Sequence, residues 1–523
     1  MIRFVPAWYT RDGIRYSADN VWLQGGAGTG VDDIVTQARV FGQGDEDVEL
    51  IVLNYAPSLR RFLHRQHIFD TPYWSFFDEI QGLGDDYTHP LNFLELEWPE
   101  DASFFYNPFI VTVMQGTNVY ARVYLTREGT LRSVRYYGDE MPTVERIFDD
   151  RGFLSSVLMH DAGGQPMTQY YLSRDGDVIV SEDIPSGRID VVQNAGDRFR
   201  QSSYDGWNTL MSELLTARLS GHGGETDTVV LALSDQHNDL IASVLTDQRL
   251  VLSSSDTRPY NASSELVARA SAVFTDVPQA ADVAGADLAG WGSLPVLAIY
   301  PLVRRATFGA SANESRVYIS LFVDNITTEE LDYAIASTAP HLVGNDHTFL
   351  LVCSFRSQDV DNLQRLNQVL NGYRRLDLDF QSDDESALLG VDVGIASEPE
   401  ERIQLTFVDR EADLIATMAK SRVLVDLGAV VHHRLAAAAI DAGVPQINRY
   451  EHALSTHRIN GYVIDDESEL PQALDYFLNG LEHWNQSLVQ CGVLEDLFSA
   501  KEILGRWELL KGEVAYARPA DRR

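Results

Sequence analysis

The chain has 523 residues, 45% of them hydrophobic, and its 77 acidic residues against 41 basic ones give a formal net charge of −36. That length suffices for two or three domains with their own cores, whereas the charge repels phosphate backbones and anionic headgroups and so excludes general nucleic-acid binding. Two cysteines are too few for a disulfide scaffold or a thiolate metal site, and no stretch approaches the roughly 20 apolar residues of a spanning helix, so we expect a cytoplasmic protein without a direct membrane span.

The chain opens with the pattern of a doubly wound α/β sheet. Ile2–Pro6 and Val48–Tyr55 are predicted to be buried strands, with a helix over Ile34–Phe41 between them. The glycine-rich segment Gln24–Asp33 precedes that helix, but its spacing matches neither common phosphate-binding fingerprint and it ends in acids. It is predicted to be a loop and not a nucleotide site.

A basic and aromatic cluster follows on a predicted helix and just after it. Charge beside aromatic area is typical of partner interfaces. The alternative is that the arginines pair with nearby acids while the aromatic rings fill a core. The candidate interface residues are Arg60, Arg61, His64, Arg65, Tyr73 and Trp74.

Residues 104–192 show a different pattern. Short segments rich in Tyr, Val, Leu and Ile alternate with turn signals, which predicts an inserted antiparallel β domain. Strand alternation in NVYARVYLT predicts that Tyr120, Arg122 and Tyr124 share one partly exposed face. That face is a second candidate for binding an extended chain or a partner subunit; packing against the first domain is the alternative.

The α/β pattern then returns twice. Residues 193–315 are predicted to complete the first Rossmann-like domain begun by residues 1–103, and residues 261–290 within it are rich in Ala, Ser and Asp. A second Rossmann-like domain is predicted over residues 316–493, and a C-terminal helix and tail over residues 494–523. The expected fold class is therefore α/β with two doubly wound domains and an antiparallel insertion in the first.

The segment Ser421–Asn485 resembles the donor-binding half of GT-B glycosyltransferases. It has a buried strand, an Ala-rich helix, the turn Gly443-Val-Pro445 and an Asn-Gly turn. Retaining enzymes of that fold carry two glutamates eight residues apart before the Gly-x-Pro turn, where this chain has Val430 and Ala438. Neither side chain can accept a hydrogen bond or take up a proton, so the donor cleft is predicted to be degenerate.

Two further observations bear on that cleft. Between Arg316 and Arg356 the chain contains no Lys or Arg, although the resemblance implies basic residues there for the nucleotide diphosphate. His432 and His433 lie beside the cleft, but no carboxylates or cysteines stand at ligand spacing, so no metal is expected. We expect no cofactor and no catalytic residue.

Several segments together resemble the first accessory secretory protein of the accessory Sec system, namely FVPAWY, LRRFLHRQ, YWSFFDEIQ, GVPQIN and NGYVI. The resemblance runs through the whole chain. It implies a cytoplasmic subunit that acts with the second and third accessory secretory proteins and a SecA-type motor ATPase to export serine-rich repeat adhesins. It also implies that the β domain is similar to the one that contacts acceptor polypeptide in the glycosyltransferases of those adhesins. Any membrane contact would then be peripheral, through the secretion complex.

The leading hypothesis is thus a GT-B-like subunit without catalysis. One alternative is an active retaining glycosyltransferase that uses a nucleotide sugar through displaced residues. Another is a glycan-binding module that uses the cleft without chemistry.

Overall fold

The computed structural model describes residues 1–10, 13–17, 32–84, 89–107, 110–126, 129–192, 198–220, 227–255, 258, 262–276, 294–300, 307–356, 359–378, 402–408, 411–428 and 431–512. The glycine-rich segment lies outside these residues up to position 31, as does Val430. The chain forms two compact units, the first built mainly from residues up to Phe274 and the second mainly from Val296 onward.

In chain order, the strands and helices of the first unit are β1 (Ile2–Val5), β2 (Tyr9–Thr10), β3 (Gly13–Ser17), α1 (Asp33–Phe41), β4 (Val48–Val52), α2 (Leu59–Arg65), β5 (Tyr73–Ser75), α3 (Phe76–Gln81), β6 (Ala102–Tyr106), β7 (Ile110–Gln115), β8 (Asn118–Leu125), β9 (Leu131–Gly138), β10 (Met141–Phe148), β11 (Leu154–His160), β12 (Pro166–Leu172), β13 (Val178–Asp183), β14 (Ile189–Val191), β15 (Ser203–Tyr204), α4 (Trp207–Ser220), β16 (Thr228–Ala232), α5 (Asn238–Val244), β17 (Arg249–Ser254), α6 (Ser264–Arg269) and β18 (Ala270–Thr275).

The α/β part of this unit is a doubly wound sheet, as predicted. Its strands stand in the order β18-β17-β16-β1-β4-β5, and the pairs of β1 with β16 and with β4 are parallel. The runs VELIV in β4 and TVVLA in β16 are buried at every position, as strands covered on both faces must be.

The inserted β domain is a ten-stranded antiparallel sheet in the order β15-β14-β13-β12-β11-β10-β9-β8-β7-β6. A tight turn joins β12 to β13 at Gly176, whose φ of 91° favours glycine. Alternate residues of β7 and β8 form one apolar cluster with Phe93, including the fully buried Val113 and Val123. The antiparallel insertion is confirmed.

The strands and helices of the second unit are β19 (Val296–Ala298), β20 (Val317–Phe322), α7 (Thr328–Gly344), β21 (Thr348–Ser354), α8 (Val360–Leu378), β22 (Ile403–Phe407), α9 (Glu411–Lys420), β23 (Ser421–Asp426), α10 (His433–Ala442), β24 (Gln446–Asn448), β25 (Gly461–Val463), α11 (Leu470–Leu478), α12 (Glu482–Leu497) and α13 (Ala500–Leu510).

The second sheet is a parallel one in the order β22-β21-β20-β23-β24-β25. One apolar cluster packs α7, α8 and α11 on it, around Ile319, Leu331 and Leu474. Another packs α9 and α10 on it, around Phe322, Met418 and Leu435. This is the second doubly wound domain that the sequence predicts.

The Ala/Ser/Asp-rich segment over residues 261–290 is described for residues 262–276, where it contains α6, capped by the Ser263 hydroxyl, and then β18. One local prediction is wrong. The single C-terminal helix is two helices, α12 and α13, because Ser499 leaves the helical conformation and caps the second.

Candidate functional site

The carboxyl edge of the second sheet is where a ligand site is expected. In parallel α/β sheets, ligands bind beyond the carboxyl ends of the strands where the strand order reverses. That point lies between β20 and β23, which pair Phe322 with Asp426. The loops that leave these strands bring polar side chains together. We call this group the switch-point site: Asp324, Asn325, Asp426 and His432.

Asp426, the last residue of β23, binds the loop that follows it. Its carboxylate accepts hydrogen bonds from the backbone N–H groups of Gly428, at 3.2 Å, and of His432. His432 is the N-cap residue of α10, at a helix start whose free N–H groups would suit an anionic ligand, and Gly428 lies in the loop directly after β23. Burial raises the pKa of Asp426 to about 6, and the negative charge of Asp324 adds to this. The protein's own carboxylate therefore takes up donors that a diphosphate would use.

His432 fills the floor of the site. The Asn325 side-chain amide donates to its Nε2 at 2.6 Å, and its ring lies 4.6 Å from the ring of Phe322 and 5.7 Å from that of Phe355. Burial, followed by the positive charge of Arg434, lowers the pKa of His432 to about 4. At neutral pH the ring is uncharged, so it offers an anion no ionic partner.

Asp324 ties the loop after β20 to the end of β21. Its carboxylate accepts the hydroxyl of Ser354 and the backbone N–H of Phe355, the latter at 2.7 Å. Burial raises the pKa of Asp324. A second carboxylate is thus fixed beside the position where phosphate charge would have to lie.

Two arginines near this edge are already occupied. Arg449 contacts Glu330 and Glu467, each at 2.6 Å. Arg365 donates to the carbonyl oxygens of Ile326 at 2.6 Å and Val323 at 2.8 Å. These guanidinium groups hold the surrounding loops in place and are not aimed at a ligand.

The N-terminus of α7 is also satisfied internally. Thr327 and Glu330 form a capping box, in which each side chain accepts the other residue's backbone N–H. Glu329 adds a further negative charge to this first turn. The loop and helix after β20 therefore present acids where the family resemblance implies phosphate-binding basic residues.

A small pocket remains between β23 and β24. Its empty space measures about 270 Å³, including space open to solvent. Asn448 contacts His452 at 3.2 Å and donates to the Ser455 hydroxyl at 3.1 Å. Burial lowers the pKa of His452 to about 4. The lining residues are Leu424, Asp426, Gly428, Val431, Ala436, Gln446, Asn448, Arg449, Tyr450 and His452.

Val430 lies outside the described residues, and of the other three residues predicted for the degenerate cleft, His432 joins the switch-point site directly. His433 begins α10, is buried, and lies 6.4 Å from the ring of His452. Ala438 is partly buried against the apolar cluster beneath the sheet. Sequence reasoning missed Asn325, Asn448 and His452, whose only sequence signal is that each lies at or shortly after the end of a buried strand.

The reversal point of the first sheet, between β1 and β16, is bridged by a hydrogen bond. The hydroxyl of Tyr9 donates to Nδ1 of His237 at 2.8 Å, and Nε2–H of that ring donates to the carbonyl of Ala232 at 2.6 Å. Burial lowers the pKa of His237 to about 4. Both ring nitrogens are therefore engaged within the protein.

The basic residues of α2 do not form one surface. Arg60 is partly buried and makes ion pairs with Asp78 at 3.0 Å, Asp149 at 2.9 Å and Asp150 at 2.6 Å. Acids distant in sequence surround its guanidinium, so little of Arg60 is exposed for contact with a partner. The alternative of pairing with acids holds for this residue.

The other members of that cluster have separate surroundings. Arg61 donates to the Thr126 hydroxyl at 3.3 Å, and Arg65 is partly buried. His64 is exposed and lies 5.7 Å from the ring of Phe69. Tyr73 is half-buried, while Trp74 is buried and donates to Glu79. Of the candidate interface residues in α2 and β5, His64 is the exposed one.

The predicted face of β8 is divided. The Arg122 guanidinium lies 5.2 Å from the centre of the Tyr137 ring, and the Arg135 guanidinium lies 5.3 Å from the centre of the Tyr124 ring. These four residues form one ladder of cation–π contacts. Tyr120 does not share that face; its ring packs against Tyr136 and Trp98. A register shift between β7 and β8 at this residue is the reason.

Two features are absent from the described residues, a metal-ligand cluster and a membrane-spanning helix. No three His, Cys, Asp or Glu side chains within them are grouped as metal ligands. No helix within them is long and apolar enough to cross a bilayer.

Comparison with known proteins adds to this geometry. The family model of the first accessory secretory protein of the accessory Sec system matches residues 1–513. The member of that family from Staphylococcus aureus is 28% identical over 98% of this chain and 99% of its own length. A chain in the crystal structure of accessory secretory proteins 1, 2 and 3 from Streptococcus pneumoniae is 24% identical, with a TM-score of 0.83 over 98% of this chain and 99% of that one.

A glycosyltransferase shares the fold at lower similarity. The pneumococcal O-GlcNAc transferase GtfA, solved with UDP and GlcNAc, has a TM-score of 0.66 at 11% identity, over 98% of both chains. The α/β architecture with an antiparallel insertion is therefore the GT-B-like one that the sequence predicts. Because the family model covers nearly the whole chain, this protein belongs to the family of the first accessory secretory protein of the accessory Sec system.

Proposed function

We propose that this chain is a GT-B-like subunit without transferase activity, which acts in the accessory Sec system to export serine-rich repeat glycoprotein adhesins. The main support for the absence of catalysis is that the protein's own side chains already bind the hydrogen-bonding groups of the switch-point site. Asp426 accepts the N–H groups before α10, and Ala438 stands where the resemblance implies a glutamate.

The electrostatics of the site support this proposal. A diphosphate bound there would face Asp324 and Asp426 from the strand ends and Glu330 from α7. Like charges at about 4 Å repel by roughly 4 kcal/mol at the effective dielectric of a protein surface. Arg449 and Arg365 could offset this only by leaving Glu330, Glu467 and the β20 loop carbonyls.

The partners proposed for this chain are the second and third accessory secretory proteins of its own organism, a SecA-type motor ATPase and the adhesin. Support comes from the pneumococcal structure of accessory secretory proteins 1, 2 and 3, whose fold this chain shares. The ladder of Arg122 and Tyr124 is a proposed contact surface for one of them. We place the complex in the cytoplasm, with membrane contact made through the secretion machinery.

Nucleotide titration tests the absence of catalysis. Isothermal calorimetry and thermal shift with UDP and UDP-sugars should show neither heat nor stabilisation, because a bound ligand must raise the apparent stability. The transferase GtfA serves as the positive control. Micromolar binding with sugar transfer would favour the alternative of an active glycosyltransferase. Tight binding of the glycosylated adhesin but not the bare one, without transfer, would favour a glycan-binding module.

Co-expression tests the role in the complex. Tagged chain should co-purify with the second and third accessory secretory proteins, and deletion of its gene should leave adhesin inside the cell. The proposal would be contradicted if the chain purified as a monomer without either partner and adhesin export continued unchanged after deletion of its gene.

A further inference from the structure

The ten-stranded sheet of the first unit ends in an open strand. β6 is its outermost strand and pairs with β7 on one side. Within the described residues, apart from a local bond from Ala102 to Pro99, no backbone hydrogen bond joins its other edge to another element. Its sequence, ASFFY, contains no charge and no proline, the usual devices that keep sheet edges from pairing with other chains.

The register shows which backbone groups face outward. The N–H of Asn107 donates to the carbonyl of Ile110 at 3.2 Å, and the pairing continues from there without a bulge. Hydrogen-bonded and non-hydrogen-bonded pairs alternate along an antiparallel ladder. Phe105 therefore bonds to β7, while Phe104 and Tyr106 direct their N–H and C=O groups away from it. These groups repeat at roughly 6.8 Å, the spacing of a complementary strand.

The side chains beside this edge are large and apolar. Phe105 is 59% exposed and Tyr106 is 66% exposed. They lie on opposite faces, and the Tyr106 ring is on the face of Phe93, 6.3 Å away. Full burial of such a residue covers roughly 150–250 Å². A strand that pairs with β6 could therefore cover the Phe105 ring on one face of the sheet and the Tyr106 ring on the other.

We propose that β6 pairs with a strand from a partner protein of the accessory Sec complex, one that is uncharged and carries apolar side chains on both faces, so that the sheet gains an eleventh strand. The inference depends on the proposed function in one respect, that this chain has a partner protein in the accessory Sec complex. A second copy of this chain is disfavoured because two bodies of formal charge −36 repel each other. A serine-rich segment would cover little of the Phe105 and Tyr106 rings.

A pair of substitutions at one position separates the backbone from the side chain. Tyr106→Ala removes the ring and keeps the outward N–H, whereas Tyr106→Pro also removes that N–H without breaking a bond to β7. Binding to a purified complex of the second and third accessory secretory proteins should weaken about tenfold more for Tyr106→Pro than for Tyr106→Ala, since a partner carbonyl is left unpaired. Thermal melting shows whether each variant folds.

Hydrogen exchange of the wild-type protein gives an answer even if the proline variant does not fold. The complex should slow exchange of the Phe104 and Tyr106 amides, and neither the bare adhesin nor a rise in concentration of this chain should do so. Protection by the adhesin, or a dimer lost in Tyr106→Pro, would overturn the assignment of the occupant. If the complex forms while these amides exchange freely, the edge proposal fails and the proposed function stands.

Discussion

Replacing Asp426 by Asn should remove a pH dependence of stability that arises at the switch-point site. Asn has nearly the same shape and its Oδ1 still accepts the N–H of Gly428, whereas its NH2 group cannot accept the N–H of His432. That lost hydrogen bond lowers the stability of the variant at every pH, so the pH-dependent part of the difference reports the ionisation of Asp426. Because burial raises the pKa of Asp426 from 3.8 to about 6, the folded protein holds this proton more tightly than the unfolded chain.

The magnitude follows from that pKa difference. One pKa unit corresponds to about 1.4 kcal/mol, so full protonation stabilises the fold by about 3 kcal/mol, of which about 2 is reached by pH 4. The contribution is complete below pH 3.8 and is lost as the pH rises through about 6. The wild type should therefore gain about 2 kcal/mol over Asp426→Asn when both are taken from pH 7 to pH 4.

Urea unfolding of both proteins at pH 7, 5.5 and 4 measures this difference. His432 and other groups titrate in both proteins, so their effects cancel in the comparison. The exposed Asp496 of α12 supplies the control, and Asp496→Asn should follow the wild-type pH dependence. If Asp426→Asn and the wild type show parallel stability at all three pH values, the carboxylate is not buried as described and the account of the site is wrong.

Two further predictions concern packing. Arg60→Met removes a guanidinium that pairs with Asp78, Asp149 and Asp150, and it should lower the free energy of unfolding by about 3–5 kcal/mol. The control Arg188→Met removes an exposed ion pair with Asp190 and should lower it by less than about 1 kcal/mol. Equal losses in urea unfolding would contradict the burial of Arg60. Gly461→Ala should destabilise the second unit because a Cβ would collide with the Ser455 hydroxyl, while Gly372→Ala, with open space in α8, should stabilise it by up to about 1 kcal/mol. Thermal melts that move the same way for both alanine variants would refute this contrast.

Much of the fold could be predicted from the sequence because it depends on local pattern. Short, mostly apolar runs such as VELIV and TVVLA are typical of strands covered on both faces, and alternation around Val119–Leu125 with regular turn signals predicts an antiparallel domain. The predicted strands and helices around Gly443 and Pro445 are confirmed with shifts of a residue or two at their ends. The sequence also shows directly that Ala438 stands where the GT-B resemblance implies a glutamate that binds the sugar donor.

What each polar side chain does was decided only by the tertiary structure. Arg60 belongs to a basic cluster in sequence, yet Asp150, 90 residues away, draws it into a buried ion network. A register shift between β7 and β8 places Tyr120 on the opposite face of the sheet from Arg122. The loop after β23 folds back so that the Asp426 carboxylate accepts a backbone N–H group of that loop. Burial and charge pairing depend on which distant segments meet, and no local pattern of residues carries that information.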